Sequence, residues 1–173
     1  MTRRWPERTE LTVISVWFGA AVLTAAVVAP AAFDVLPTRT LAGQLVGRVL
    51  AAVFVAGAIA GILAYLLELA TSHGRWVFGR ALPLAMLSGG CLAAQFVVTP
   101  KIEIVRVSIG APVESLDATD PRRVAFGRLH AVSVLLLGVS MLGAVATGWR
   151  LVHGDATLAA ADRDVKDLLE SLP

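Results

Sequence analysis

The chain has 173 residues, 57% of them hydrophobic and 16% charged, with a mean hydropathy of +0.75, a balance far from that of a soluble domain. Four spans of about 20 residues with short connections use up that length and leave no room for a second folded domain of typical size. The net charge of +2 is spread between apolar runs, which argues against nucleic acid as a partner, and the single cysteine, Cys91, excludes an intrachain disulfide and reads as a packing residue.

Leu11 to Phe33 is a run of 23 uncharged residues preceded by Arg3, Arg4, Glu7, Arg8 and Glu10, long enough to cross about 30 Å of hydrocarbon. The alternative is a cleaved signal peptide, suggested by the basic residues before the run and by Ala29-Pro30-Ala31. The run is too long for a typical signal core, which favours an uncleaved first span. Span two covers Val49 to Leu67, between Arg48 and Glu68, and the polar turn Thr71 to Arg75 follows. Span three covers Ala81 to Thr99 and ends at Pro100 and Lys101; span four covers Leu129 to Trp149 and ends at Arg150.

The longest connection is Lys101 to Arg128. Its first part alternates like a strand, but a lone strand at a bilayer surface leaves its backbone unpaired, so a helix continuing beyond Pro100 is the better expectation. Asp120-Pro121 is a helix start, Asp as N-cap and Pro as first helical residue, so helix four is expected from Pro121 to Trp149, about 43 Å at 1.5 Å per residue. In the tail, Leu158, Ala161, Val165, Leu168 and Leu172 recur at helical spacing among acidic residues. This predicts an amphipathic helix over 156–170 with Leu158, Val165 and Leu168 covered by protein, either its own bundle or a partner. The fold class is thus an all-α membrane protein: a four-transmembrane-helix bundle with extended third and fourth helices and an amphipathic C-terminal helix. Residues 1–150 form the transmembrane domain and 151–173 the tail.

Membrane helices associate mainly by close packing, which favours small residues four apart. Gly57 and Gly61 in span two, Ala85, Gly89 and Ala93 in span three, and Ser140, Ala144 and Gly148 in span four are the candidates for helix contact. Gly57 and Gly61 are expected to face another helix.

Because spans alternate in direction, Phe33, Arg48, Thr99 and Leu129 lie at one membrane face. Near it collect Pro30, Asp34, Arg39, Arg48, Gln95, Pro100, Lys101, Glu103, Arg106, Arg128 and His130. Polar groups near hydrocarbon are costly and mark where function is sought first, although each can equally serve as packing glue. His130 is the centre of this face, expected to point into the bundle and hydrogen-bond Gln95, Thr99, Arg48 or the carbonyl freed by Pro30.

No cofactor is expected. A haem with two axial histidines cannot be built within one copy, since His73 and His153 belong to the opposite face, and the three His, one Cys and three Met are too dispersed for a metal site. No Ser-His-Asp set, carboxylate pair or phosphate loop can be assembled either, so an enzyme is not expected.

Trp17-Phe18-Gly19, Ala29-Pro30-x-x-Phe33, Pro100 with Arg106, and Phe126-x-x-x-His130 resemble the pattern of the transmembrane protein 205-like family, catalogued in bacteria as a domain of unknown function. The likeness covers roughly residues 11 to 150, and the polar insertion Pro112 to Asp120 departs from it. It implies a four-helix membrane protein of a bacterial inner membrane without established activity, with Pro30, Phe33, Pro100, Arg106, Phe126 and His130 as the carried-over positions.

The candidate functional cluster is therefore Pro30, Phe33, Arg48, Gln95, Pro100, Arg106, Phe126 and His130. A non-enzymatic accessory or scaffold protein is the leading expectation, with the bilayer and other membrane subunits or a homo-oligomer as partners. The rival is small-solute binding or permeation at a polar site around His130. Lys and Arg number eight on the face with the termini and seven on the other, a narrow margin for cytoplasmic termini.

Overall fold

In a computed structural model the backbone is described for residues 4–71 and 77–170, and side chains for 5, 7–70 and 81–153. Four helical segments are long and apolar enough to cross a membrane: Glu7–Val35, Arg39–Ala70, Ala81–Ile109 and Pro121–His153. The first is built from α1 (Arg4–Leu23), a π-helical turn (Thr24–Val28) and α2 (Ala29–Val35). The second is α3 (Arg39–Thr71). The third joins α4 (Val77–Ala93), another π-helical turn (Ala94–Val98) and α5 (Thr99–Ile109). The fourth belongs to α6, which runs unbroken from Pro121 to Glu170. Each span packs on two others, first on second, second on third, third on fourth and fourth on first, giving an up-and-down four-helix bundle.

The two π turns have the same cause. A proline has no N–H for the carbonyl four residues back, and its ring collides with that carbonyl. Pro30 and Pro100 each enter just after a π turn, which inserts a residue and shifts the bonding, so that Ala29 N–H donates to the Thr24 carbonyl and Thr99 N–H to the Ala94 carbonyl. The Thr99 hydroxyl donates to the same Ala94 oxygen at 2.9 Å. As expected, the helix continues beyond Pro100, here to Ile109, where Gly110 closes it at φ 65°. The shared pattern Val27-Val28-Ala29-Pro30 and Val97-Val98-Thr99-Pro100 is the local sequence of both devices.

The core lies in the middle of the bundle around Ile14, Trp17, Ala21, Phe54, Leu84, Leu87 and Cys91. Trp17 fills the gap between the first two spans, and its indole N–H donates to the Val53 carbonyl at 2.8 Å. In an α-helix that carbonyl also accepts the Gly57 N–H, so the indole lies flat against the Gly57 backbone. A Cβ at Gly57 would come to 2.5 Å from Trp17 Nε1 and 2.6 Å from Cys91 Sγ; one at Gly61 would meet Ser88 Cβ at 2.9 Å. Both glycines thus face neighbouring helices, as their spacing predicted.

In span three the close contact falls elsewhere than expected. Ala85 and Gly89 are exposed, with nothing near a Cβ at Gly89, and the buried stripe is Leu84, Leu87, Cys91 and Ala94. One residue on, Gly90 meets the Ser140 hydroxyl and the Leu136 carbonyl, because each helical residue advances the face by about 100°. Picking only small residues chose a lipid-facing row; the contact face also carries leucines. In span four Ser140 and Ala144 are buried, Gly143 receives the Pro83 carbonyl, and Gly148 sits more loosely, a Cβ there meeting Leu11 Cδ1 at 3.7 Å.

The outward rows Val55, Ile59, Ile62 and Leu66, and Val132, Leu135, Val139 and Leu142, are exposed apolar surface of the kind that lipid covers. The tail segment 156–170 is helical as part of α6, with no break at 150; Leu158, Val165 and Leu168 lie outside the residues whose side chains are described.

Gly57→Ala should lower stability in detergent by about 1–3 kcal/mol through overpacking against Trp17 and Cys91, whereas Gly89→Ala should be neutral or stabilising by up to about 1 kcal/mol. Thermal unfolding of the two variants side by side checks this; equal destabilisation would overturn the assignment of packing faces.

Candidate functional site

Beyond the membrane-spanning core, α3, α5 and α6 overhang on the same face. The apolar stretch of α3 between Arg48 and Glu68 accounts for about 28 Å at 1.5 Å per residue, which matches the hydrocarbon thickness and sets Arg48 at its boundary. The nine residues from Arg39 to Gly47 then reach about 13 Å farther out, among lipid headgroups and water. Pro100 does not stop the third span, so α5 rises beside them, and Asp120 starts α6 well before the hydrocarbon: its carboxylate accepts the Arg122 N–H at 2.8 Å and the Arg122 guanidinium at 2.9 Å. Asp120 is thereby held at about 2, first by the Arg122 side chain and then by its backbone N–H.

These overhanging ends enclose a cavity of about 560 Å³. From α3 come Arg39, Thr40, Gly43, Gln44, Gly47 and Arg48, and deeper Leu50, Ala51 and Phe54. α5 contributes Thr99, Ile102, Glu103 and Arg106; α6 contributes Arg123, Phe126, His130 and Ser133 at spacings of three and four, a single helical face. Phe33 closes one side. A 3₁₀ turn, Val113–Ser115, forms the roof. Glu114 in that turn accepts a hydrogen bond from the Thr40 hydroxyl at 2.9 Å, and Arg123 donates to the Leu116 carbonyl at 2.7 Å, pinning the connection to both α3 and α6. The Glu114 carboxyl is held below its usual range by its own backbone N–H, the Thr40 hydroxyl and the Arg39 charge.

The cavity gathers Phe33, Arg48, Arg106, Phe126 and His130 from the expected cluster. Pro30 and Pro100 do not line it; they act one step back, as the cause of the π turns that aim α2 and α5. Gln95 is also outside it, within the second π turn, where its Oε1 is buried and accepts no hydrogen bond among the described residues. His130 departs from expectation: it is exposed, lining the open cavity instead of being buried in the bundle, and it forms no hydrogen bond among the described residues. Arg123, Glu114, Thr40, Gln44 and Ser133 were not singled out from sequence. The spacing Arg123, Phe126, His130, Ser133 was the available signal for α6; nothing local marks Glu114.

The opposite end holds a second feature that the sequence reading left in tails and connections. Glu10 and Glu68 are buried inside α1 and α3, at 3% and 9% exposure, and Arg150 donates to Glu68 at 3.4 Å. Glu10, Ile14, Trp17 and Ala21 follow one another at spacings of four, three and four, so the helical stripe of the first span begins at Glu10, the residue just before the uncharged run.

A family model described as Domain of unknown function (DUF4149) matches residues 12–110, more than half of the chain. The matched stretch contains Phe33, Arg48 and Arg106 and stops before Phe126 and His130. No curated protein and no solved structure matches the chain.

Lacking a hydrogen bond to lose, His130→Ala should change stability by less than about 0.5 kcal/mol, which unfolding in detergent measures. The roof depends on a carboxylate whose pKa is lowered by folding, so its contribution is complete above the ordinary Glu range and is lost as pH falls through the lowered value. Hydrogen exchange of residues 110–120 should therefore stay slow from neutral pH to about 5, and Thr40→Val should shift the Glu114 titration, read by NMR, upward.

Proposed function

The chain belongs to the DUF4149 family, and on that footing we propose that it is a non-enzymatic integral membrane protein that binds a small amphipathic molecule in the cavity at the headgroup layer. The observation that carries this reading is the gradient along the cavity wall. Arg39, Thr40, Arg106, Glu114 and Arg123 surround its outer part, and Leu50, Ala51 and Phe54 form its inner wall, just inside the hydrocarbon boundary set by Arg48. A volume of about 560 Å³ is in the range that holds a drug-sized ligand. Gly43 and Gly47 keep the α3 wall open, with nothing within 4 Å of a Cβ at either position.

The accessory or scaffold reading has a separate support: α6 continues as a helix to Glu170, and Leu158, Val165 and Leu168 recur along it at helical spacing. The two roles are compatible, a ligand-holding bundle presenting a tail to another subunit. A bacterial inner membrane, with both ends of the chain cytoplasmic, is part of the same proposal.

The test fills the cavity. Gly47→Leu projects a side chain into open space, so the variant should fold with stability equal to or slightly above that of the parent, since Leu is the better helix former by up to about 1 kcal/mol. Native mass spectrometry of protein extracted in mild detergent should show a bound amphiphile on the parent and none on Gly47→Leu. Identical adducts on both would remove the cavity as the binding site.

A further inference from the structure

The polar groups at the inner end of the cavity are unlike those at its mouth. At the mouth the charged groups have partners: Glu103 pairs with Arg106 at 2.7 Å, Glu114 takes the Thr40 hydroxyl beside Arg39, and Arg123 donates to the Leu116 carbonyl. Farther in, Arg48 forms no ion pair or hydrogen bond among the described residues, and neither does His130. Ser133, only 6% exposed as a residue, lines the same cavity and makes no hydrogen bond among the described residues either. Both lining carboxylates, Glu103 and Glu114, belong to the outer part. A guanidinium at the hydrocarbon boundary, a hydroxyl and an imidazole thus share one open space with no lining carboxylate beside them, Arg48 and His130 both exposed to it.

Charge and shape narrow the missing group. Four arginines and two glutamates line the cavity, and no lysine does, leaving an excess of two positive charges. The guanidinium is a planar fork whose donors match the oxygens of a phosphate, and it holds its charge at any accessible pH. Phe33, Phe54, Phe126 and Leu50 give an adjoining apolar wall. We propose that the cavity takes a phosphate-bearing amphiphile, its phosphate held by Arg48, Ser133 and His130 and the start of its acyl chain lying on the Phe54 wall. This rests on the ligand-binding reading above and names the chemical class of the ligand.

The experiment uses full-length protein in an uncharged detergent, titrated by native mass spectrometry with dioleoyl phosphatidic acid and with dioleoyl glycerol, and by calorimetry with inorganic phosphate. Phosphatidic acid should bind at least about tenfold more tightly than the glycerol, the equivalent of about 1.4 kcal/mol. Arg48→Gln and the near-isosteric Ser133→Ala should each erase most of that preference, while Arg8→Gln on the opposite face leaves it intact. If both lipids bind equally and Arg48→Gln and Ser133→Ala change nothing, while Gly47→Leu abolishes both, the phosphate subsite is overturned and the amphiphile reading stands. If inorganic phosphate binds as tightly as the lipid and loses affinity in Arg48→Gln, the anion subsite is upheld and the ligand is a soluble phosphate, which overturns the amphiphile. Binding of none of the three overturns both.

Discussion

The bundle depends on how closely the first two spans can approach at one point, where the Trp17 indole lies against the Gly57 backbone and donates to the Val53 carbonyl. In lipid, apolar surface alone does not hold helices together, since acyl chains solvate leucine as well as a protein does. Tight backbone contact and an occasional interhelical hydrogen bond must supply the cohesion. A large aromatic residue can be buried in this position only because the facing residue has no side chain, and its N–H is tolerable only because a carbonyl receives it. The other close contacts repeat the principle with fewer resources: Gly61 against Ser88, Gly90 against Ser140, Gly143 against the Pro83 carbonyl. Buried hydroxyls are satisfied within their own helix, Ser140 on Leu136 and Thr147 on Gly143, so they add no demand on partners.

With the centre fixed, the two ends have diverged. At the end carrying the termini, the buried Glu68 accepts from the partly exposed Arg150 across two helices at 3.4 Å. At the other end the helices overhang the hydrocarbon and enclose space. The difference traces to Pro30 and Pro100. Each forces a π turn, and each turn re-aims the remainder of its helix while preserving its backbone bonding, a requirement that lipid imposes strictly. The cavity is therefore a consequence of where two prolines interrupt two parallel spans, and the connection 110–120 is held above it by side chains from α3 and α6.

Within that cavity the energetics are asymmetric. The outer ion pair, Glu103 with Arg106, is accessible to water, so it contributes little to stability. Arg48 and His130, farther in, are exposed to the open cavity and form no ion pair or hydrogen bond among the described residues. Gln95 Oε1 also accepts no hydrogen bond among the described residues, but it is buried and Gln95 does not line the cavity.

Four apolar stretches of membrane-spanning length, the helix start at Asp120-Pro121 and the contact role of Gly57 and Gly61 followed from the sequence by itself, because each depends on length, local capping or absence of a side chain. Helix faces in span three did not, since the small-residue row through Gly89 and the true contact row through Leu84, Leu87 and Cys91 are both legal helical stripes, and only packing chooses between them. Phe33, Arg48, Arg106, Phe126 and His130 could be placed at one face by topology alone. That they surround a space, instead of bonding one another, was decided in three dimensions: the extensions of the third and fourth helices were legible in the sequence, but the overhang of α3 beside them and a roof residue, Glu114, that reaches Thr40 across 74 positions of sequence were not. Sequence periodicity reports which residues share a helix face; the gap between three such faces depends on bends and heights that no single helix encodes.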